Sequence, residues 1–142
     1  MPTRKASAVW EGGLKGGRGS FRGESGAIGG TYSFGSRFEN TGGTNPEELL
    51  AAADAACYSM ALSGALERNG TPATRVETDA ACTVEKVGEG FKITRMKLTV
   101  RAAVPKVDPA TFQKLAEQMK EGCVVSQALK GIQQFELDAK LE

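Results

Sequence analysis

The sequence predicts an α+β fold in a single domain over residues 1–142, and three observations predict it. Residues 3–40 break into short, loosely alternating runs separated by glycine turns. Residues 44–62 (TNPEELLAAADAACYSMAL) form one long apolar helical run. Residues 75–104 divide into two alternating stretches around Val87, Gly88, Glu89 and Gly90. Strands, helix, hairpin, helix and strand in that order describe an α+β layout.

The first strand is expected over Thr3–Glu11, ending at Gly12-Gly13, and the second over Gly19–Glu24, ending at Ser25-Gly26. A third, Thr31–Phe38, alternates Tyr32, Phe34 and Phe38 with smaller or polar residues. Residues 39–45 read as a loop. The long helix then starts with Asn45 as N-cap, Pro46 in the first helical position and Glu48 at N3 to complete a capping box. Glu47 and Glu48 also suit the positive end of the helix dipole. Asn69, Gly70 and Pro72 stop the helix after Arg68. Leu49, Ala53, Cys57, Met60 and Gly64 fall on one stripe with more apolar residues beside it, so a partner subunit is expected to supply part of the covering.

Strands follow over 75–86 and 90–104, with Ala80, Cys82 and Val84 facing inward on the first. Asp108 caps a second helix with Pro109 at N1, and Gly122 ends it. A short helical turn after Cys123 and a strand over Ile132–Leu141 close the fold.

A chain of 142 residues is long enough for a real core, burying roughly 68–70% of its unfolded surface. Its 18 basic and 17 acidic residues leave a net charge of +1, which removes the electrostatic case for a nucleic-acid partner. The N-terminal segment lacks the apolar stretch of a signal peptide. The candidate membrane span, Leu49–Leu66, is interrupted by Asp54, Ser59, Ser63 and Gly64 and reads as a buried helix of a soluble protein. The glycine-rich residues 16–20 (GGRGS) lack the Lys-Ser/Thr ending of a phosphate loop and read as turns.

Three cysteines and no histidine frame the chemistry. An odd count without a Cys-x-x-Cys pair is neither a secreted disulfide framework nor a zinc site, and fits a reduced or redox-active cytosolic protein. A nucleophilic thiol must ionise, and here no imidazole exists to help it. Arginine, a helix N-terminus or hydrogen bonds must hold any thiolate, which points away from Cys-His hydrolases and towards thiol redox chemistry. Cys82 reads as strand packing. Cys57, on an apolar helix, is either inert filler or a nucleophile that needs a compensating cation. Cys123, in residues 121–129 (EGCVVSQAL), has free N–H groups at hand, or is simply a small residue fitted between helices. Its Cys-Val-Val-Ser run matches the Cys-x-x-Ser spacing of monothiol redox proteins. Arg37 reads as a solvated strand residue and Glu47 as a first-turn carboxylate.

Taken together, these segments resemble the OsmC/Ohr family of osmotically inducible and organic hydroperoxide resistance proteins. The resemblance covers nearly the whole chain: residues 10–13 (WEGG), 36–39 (SRFE), the helix run 43–62, residues 93–100 (ITRMKLTV), 103–105 (AVP) and 122–129 (GCVVSQAL). The Trp-Glu-Gly opening and the Thr-Asn-Pro-Glu-Glu form are similar to the OsmC branch. One departure is visible, Val124 where the family's second motif usually has proline.

The resemblance implies a thiol-dependent peroxidase that reduces organic hydroperoxides to alcohols, with no metal and no bound organic cofactor. It implies Cys57 as the peroxidatic thiolate and Cys123 as the resolving thiol, joined in a disulfide that an external dithiol, such as a lipoylated or thioredoxin-like protein, reduces. Arg37 would stabilise the thiolate and polarise the peroxide, and Glu47 would hold Arg37. It further implies a cytoplasmic, intertwined homodimer in which antiparallel sheets wrap central helices. Two other readings stay open: a disulfide reductase in which Cys123 attacks, and a non-catalytic apolar-pocket carrier in which both thiols are packing.

Overall fold

The computed structural model describes residues 1–142, which fall into two compact units, Met1–Leu49 and Leu50–Glu142. The first unit carries an antiparallel sheet of β1 (Ala6–Glu11), β2 (Arg18–Gly23) and β3 (Gly29–Tyr32) in that order. Trp10 pairs with Gly19, and Gly19 with Tyr32, so the Trp10 and Tyr32 rings meet across a position without a side chain, centroids 5.5 Å apart. A Cβ at Gly19 would stand 2.5 Å from the Tyr32 ring. The glycine-rich tract thus includes a sheet strand whose glycine makes room for aromatics, and not only turns.

The expected third strand, Thr31–Phe38, is only half strand. β3 stops at Tyr32, and Phe34–Phe38 form the short helix α1. Ser33 and Ser36 make the reason local. The Ser33 hydroxyl accepts from the Ser36 N–H at 3.0 Å, and the Ser36 hydroxyl accepts from the Ser33 N–H at 2.8 Å, a reciprocal cap that starts a helix. Phe34 and Phe38 satisfy helical spacing as well as alternation, and their rings sit 5.1 Å apart.

α2 (Pro46–Arg68) begins and ends where its caps predict. The Asn45 side chain accepts from the Glu48 N–H at 2.8 Å, but the Glu48 carboxylate accepts from the Thr44 hydroxyl. The predicted capping box is therefore half formed.

In the second unit, β4 (Arg75–Val87) and β5 (Gly90–Ala103) form a hairpin with an irregularity between Thr83 and Val84. α3 (Pro109–Gly122) and α4 (Val124–Ala128) then carry the chain across to β6 (Gln134–Leu141), which pairs parallel to β5. A parallel neighbour requires such a crossover. β5 is the central strand, and it buries Met96, Leu98, Val100 and Ala102 on one face. Tyr58, Leu62 and Leu66 of α2 and Phe112 and Ala116 of α3 join that core. Each large apolar side chain there contributes about 1.5–3 kcal/mol.

The buried face of α2 is not the expected stripe. Asp54, Tyr58, Leu62, Ala65 and Leu66 are buried within the chain, whereas Ala53 is exposed and Met60 is 81% exposed. The run of alanines makes several faces equally apolar, so the large side chains Tyr58, Leu62 and Leu66 decide which one packs. By length and composition alone α2 is apolar enough to cross a membrane, and one face is committed to the sheet. Cys82 is half-buried on β4, paired with Met96.

Candidate active site

Arg37 ends α1 and Glu47 opens α2, both in the first unit. Arg37 Nε donates to Glu47 Oε1 at 3.0 Å and Oε2 at 3.1 Å, and Nη2 donates to Oε1 at 2.7 Å. The Glu47 side chain is 6% exposed and that of Arg37 38%. The guanidinium is therefore clamped by a carboxylate that is itself shielded, with one side left open. The expected Arg37–Glu47 pairing is present, on a helix and not on a strand.

The two motif cysteines meet in the second unit. Cys123 Sγ donates to Cys57 Sγ at 2.7 Å, and neither is in a disulfide. A disulfide needs about 2.0 Å between sulfurs, so a small movement would join them. Cys57 is half-buried, whereas Cys123 is 1% exposed. Both border a groove of about 620 Å³ whose walls include Met60, Ala61, Gly64 and Met119.

Cys123 is both the last cap of α3 and the first of α4, its N–H bonded to the Met119 carbonyl at 3.0 Å with φ −66° and ψ 126°. The predicted glycine cap is thus displaced by one residue, because extended backbone at Cys123 makes the turn. Burial pushes the Cys123 thiol above its ordinary value, and so does its bond to Cys57; the Ser126 and Val125 N–H groups and the Ser126 side chain oppose this. Cys123 is thereby kept as a proton donor to Cys57. Val124 is exposed and opens α4.

A residue that the sequence shows only as an interruption of an apolar run completes this cluster. Asp54 is wholly buried; its Oδ1 accepts from Ser126 Oγ at 2.7 Å and lies 3.8 Å from Cys123 Sγ, and its Oδ2 has no partner. Burial pushes its carboxyl above the ordinary value, while hydrogen bonds from Ser126 and Cys123 pull it down. A signal existed: Asp54 is a lone charge amid alanines, on the same helix face as Tyr58 and Leu62. Tyr58, the next residue on that face, donates its hydroxyl to the Ala116 carbonyl at 2.7 Å and ties α2 to α3.

An α+β scaffold that brings two free thiols into contact, with an arginine–glutamate clamp at the start of the same helix, defines a class of dithiol proteins. This chain belongs to the OsmC family, whose model, described as OsmC-like protein, matches residues 38–138. It is 44% identical over 140 residues to peroxiredoxin OsmC of Escherichia coli, covering 98% of this chain and 96% of that protein. The organic hydroperoxide resistance protein OhrB of Bacillus subtilis is 33% identical over 105 residues, 73% of this chain and 72% of the relative. The similarity to the OsmC branch is thus greater and longer than that to this Ohr protein. Among solved structures, an organic hydroperoxide resistance protein from Elizabethkingia anophelis superposes with a TM-score of 0.72 at 22% identity, covering 99% and 98% of the two chains, a likeness of fold.

Proposed function

We propose that this protein is a thiol-dependent peroxidase that reduces organic hydroperoxides to alcohols. The observation that carries the proposal is the pair of sulfurs at 2.7 Å, Cys57 half-buried and Cys123 buried, both bordering a mostly apolar groove. The Cys57 thiolate attacks the distal peroxide oxygen; the O–O bond breaks, the alcohol leaves and Cys57 becomes a sulfenic acid. Cys123 then displaces the sulfenic oxygen as water to give a Cys57–Cys123 disulfide, which an external dithiol reduces by exchange. Arg37, fixed by Glu47, supplies the positive charge for thiolate and peroxide. Apolar walls suit a hydroperoxide with a hydrocarbon group better than hydrogen peroxide.

Residues 1–142 act as one functional domain in this reading, in a cytoplasmic homodimer. The exposed apolar face of α2 around Ala53, Ala56 and Met60 supports a second copy as its cover. The burial of Cys123 and its role as donor to Cys57 speak against Cys123 as the attacking thiol of a disulfide reductase.

The test is a thiol count of the reduced protein titrated with cumene hydroperoxide and, separately, hydrogen peroxide. The expected result is loss of two thiols per chain at one equivalent of the organic peroxide, with the Cys82 thiol unoxidised. Three thiols surviving prolonged exposure would overturn the proposal in favour of a carrier.

A further inference from the structure

Resolution by Cys123 leaves one proton without a destination. Cys123 enters as a thiol at 1% exposure, so no bulk water is at hand to deprotonate it. Side-chain acceptors for its S–H are Cys57 Sγ at 2.7 Å and Asp54 Oδ1 at 3.8 Å. The first serves only while Cys57 is a thiolate. Once Cys57 is a sulfenic acid its sulfur is the electrophile, and the carboxyl remains.

Packing does not explain that carboxyl. Asp54 is wholly enclosed beside Tyr58 and Cys123, where an alanine or leucine would avoid the cost of burying it. Ser126 occupies Oδ1 at 2.7 Å, and Oδ2 is left with no partner. A buried polar atom without a partner costs about 1–3 kcal/mol and calls for a reason.

We propose that Asp54 is the proton acceptor for Cys123 when Cys123 closes the disulfide on oxidised Cys57. The assignment rests on the peroxidase reading given above. In the step, the Cys123 sulfur forms the S–S bond and the Cys57 S–O bond breaks. The oxygen departs with that electron pair as hydroxide, the Cys123 proton passes to the Asp54 carboxylate, and from there to the hydroxide, which leaves as water. Nothing else is consumed. The 3.8 Å separation is that of the resting thiol, and such contacts tighten as the step proceeds. Burial strengthens the carboxyl's hold on a proton, and the Ser126 hydrogen bond limits that gain, which together suit a transient base.

Asp54→Asn retains size and hydrogen bonding to Ser126 but accepts no proton. Ser126→Ala removes the same contact to α4 and retains the carboxylate. Each reduced protein is mixed with one equivalent of cumene hydroperoxide, and quenched samples are analysed by mass spectrometry for dimedone-trapped Cys57 sulfenic acid and for disulfide. The ratio of disulfide closure to sulfenic acid formation is expected to fall at least about tenfold in Asp54→Asn, and by a smaller factor in Ser126→Ala. Equal losses in both variants would mean that Asp54 only holds α4, and an unchanged ratio in Asp54→Asn would overturn the assignment outright. Closure in the wild-type protein is also expected to show a solvent deuterium isotope effect, and its absence counts against Asp54 even if a variant fails to fold. Wild-type protein giving neither adduct nor disulfide overturns the peroxidase reading itself.

Discussion

Two polar clusters in this protein solve the same electrostatic difficulty in opposite ways. In Arg37–Glu47, three hydrogen bonds of 2.7–3.1 Å occupy both carboxylate oxygens, and the arginine keeps an open side. In Asp54–Ser126–Cys123, every member is almost or wholly buried, no cation is paired with the carboxyl, and one oxygen has no partner. The first cluster is a finished structure that presents a fixed charge. The second is unfinished, and unfinished polar groups in a core are tolerated where protons or electrons must move. Deleting each part in turn tells the two clusters apart.

The largest effect belongs to the sulfurs. Cys57→Ser is expected to lower dithiol-coupled turnover of cumene hydroperoxide on the order of a thousandfold or more, as loss of a nucleophile does. Cys123→Ser should still consume one equivalent of peroxide and then stall. Steady turnover by Cys123→Ser would show that the buried cluster is not part of the cycle.

Next comes the clamp. Arg37→Ala should reduce kcat/KM about a hundredfold, the scale of losing one preorganised charge contact. The buried Glu47 carboxylate left without its partner should also cost about 3–5 kcal/mol of stability, readable in a chemical denaturation curve. A stability loss without a rate loss would reduce Arg37 to a structural ion pair.

The third effect is a pH dependence. Burial raises the Asp54 carboxyl above its ordinary 3.8, so the folded protein holds this proton more tightly than the unfolded chain. That contribution is complete below the unfolded value and is lost as pH rises through the folded one. Melting curves should therefore show wild type losing ground to Asp54→Asn between acid and neutral pH. Cys123 is also raised, but from 9.0, so its contribution persists through neutrality and does not blur the comparison. Parallel curves for the two proteins would mean that burial does not raise the Asp54 carboxyl.

The smallest effect is the control for a satisfied group on the same helix face. Tyr58→Phe removes the bond to the Ala116 carbonyl, at about 1 kcal/mol. For a chain of this size that is a fall of about 2–4 °C in Tm, with the sulfenic acid and disulfide rates unchanged.

What was legible in the sequence follows the same divide between local and distant causes. Asn45, Pro46 and Asp108 are local signals, and the starts of α2 and α3 stand where they predict. So does the β4–β5 hairpin, whereas the Cys57 and Cys123 motifs were legible only by resemblance, and their sulfurs meet across 66 residues of sequence. At residues 33–38 the aromatics obey two periods at once, and the Ser33–Ser36 cap, itself a short-range signal, decides for helix. The parallel β5–β6 pairing and the seating of Asp54 against Ser126 depend on contacts far apart in sequence, which no local pattern encodes. Asp54 in particular read as a flaw in an apolar run, because its partner lies two elements beyond the hairpin.

The contact between Cys57 and Cys123 joins positions 66 residues apart. Closing that loop covalently would remove conformations from the unfolded chain worth about 4 kcal/mol in the chain-entropy account. For a protein of 142 residues this is a Tm difference on the order of 10 °C. Each catalytic cycle would therefore alternate between a softer dithiol form and a heat-hardened disulfide form. A simple melting curve would then report how far the pool has been oxidised, with no substrate or reductant in the tube.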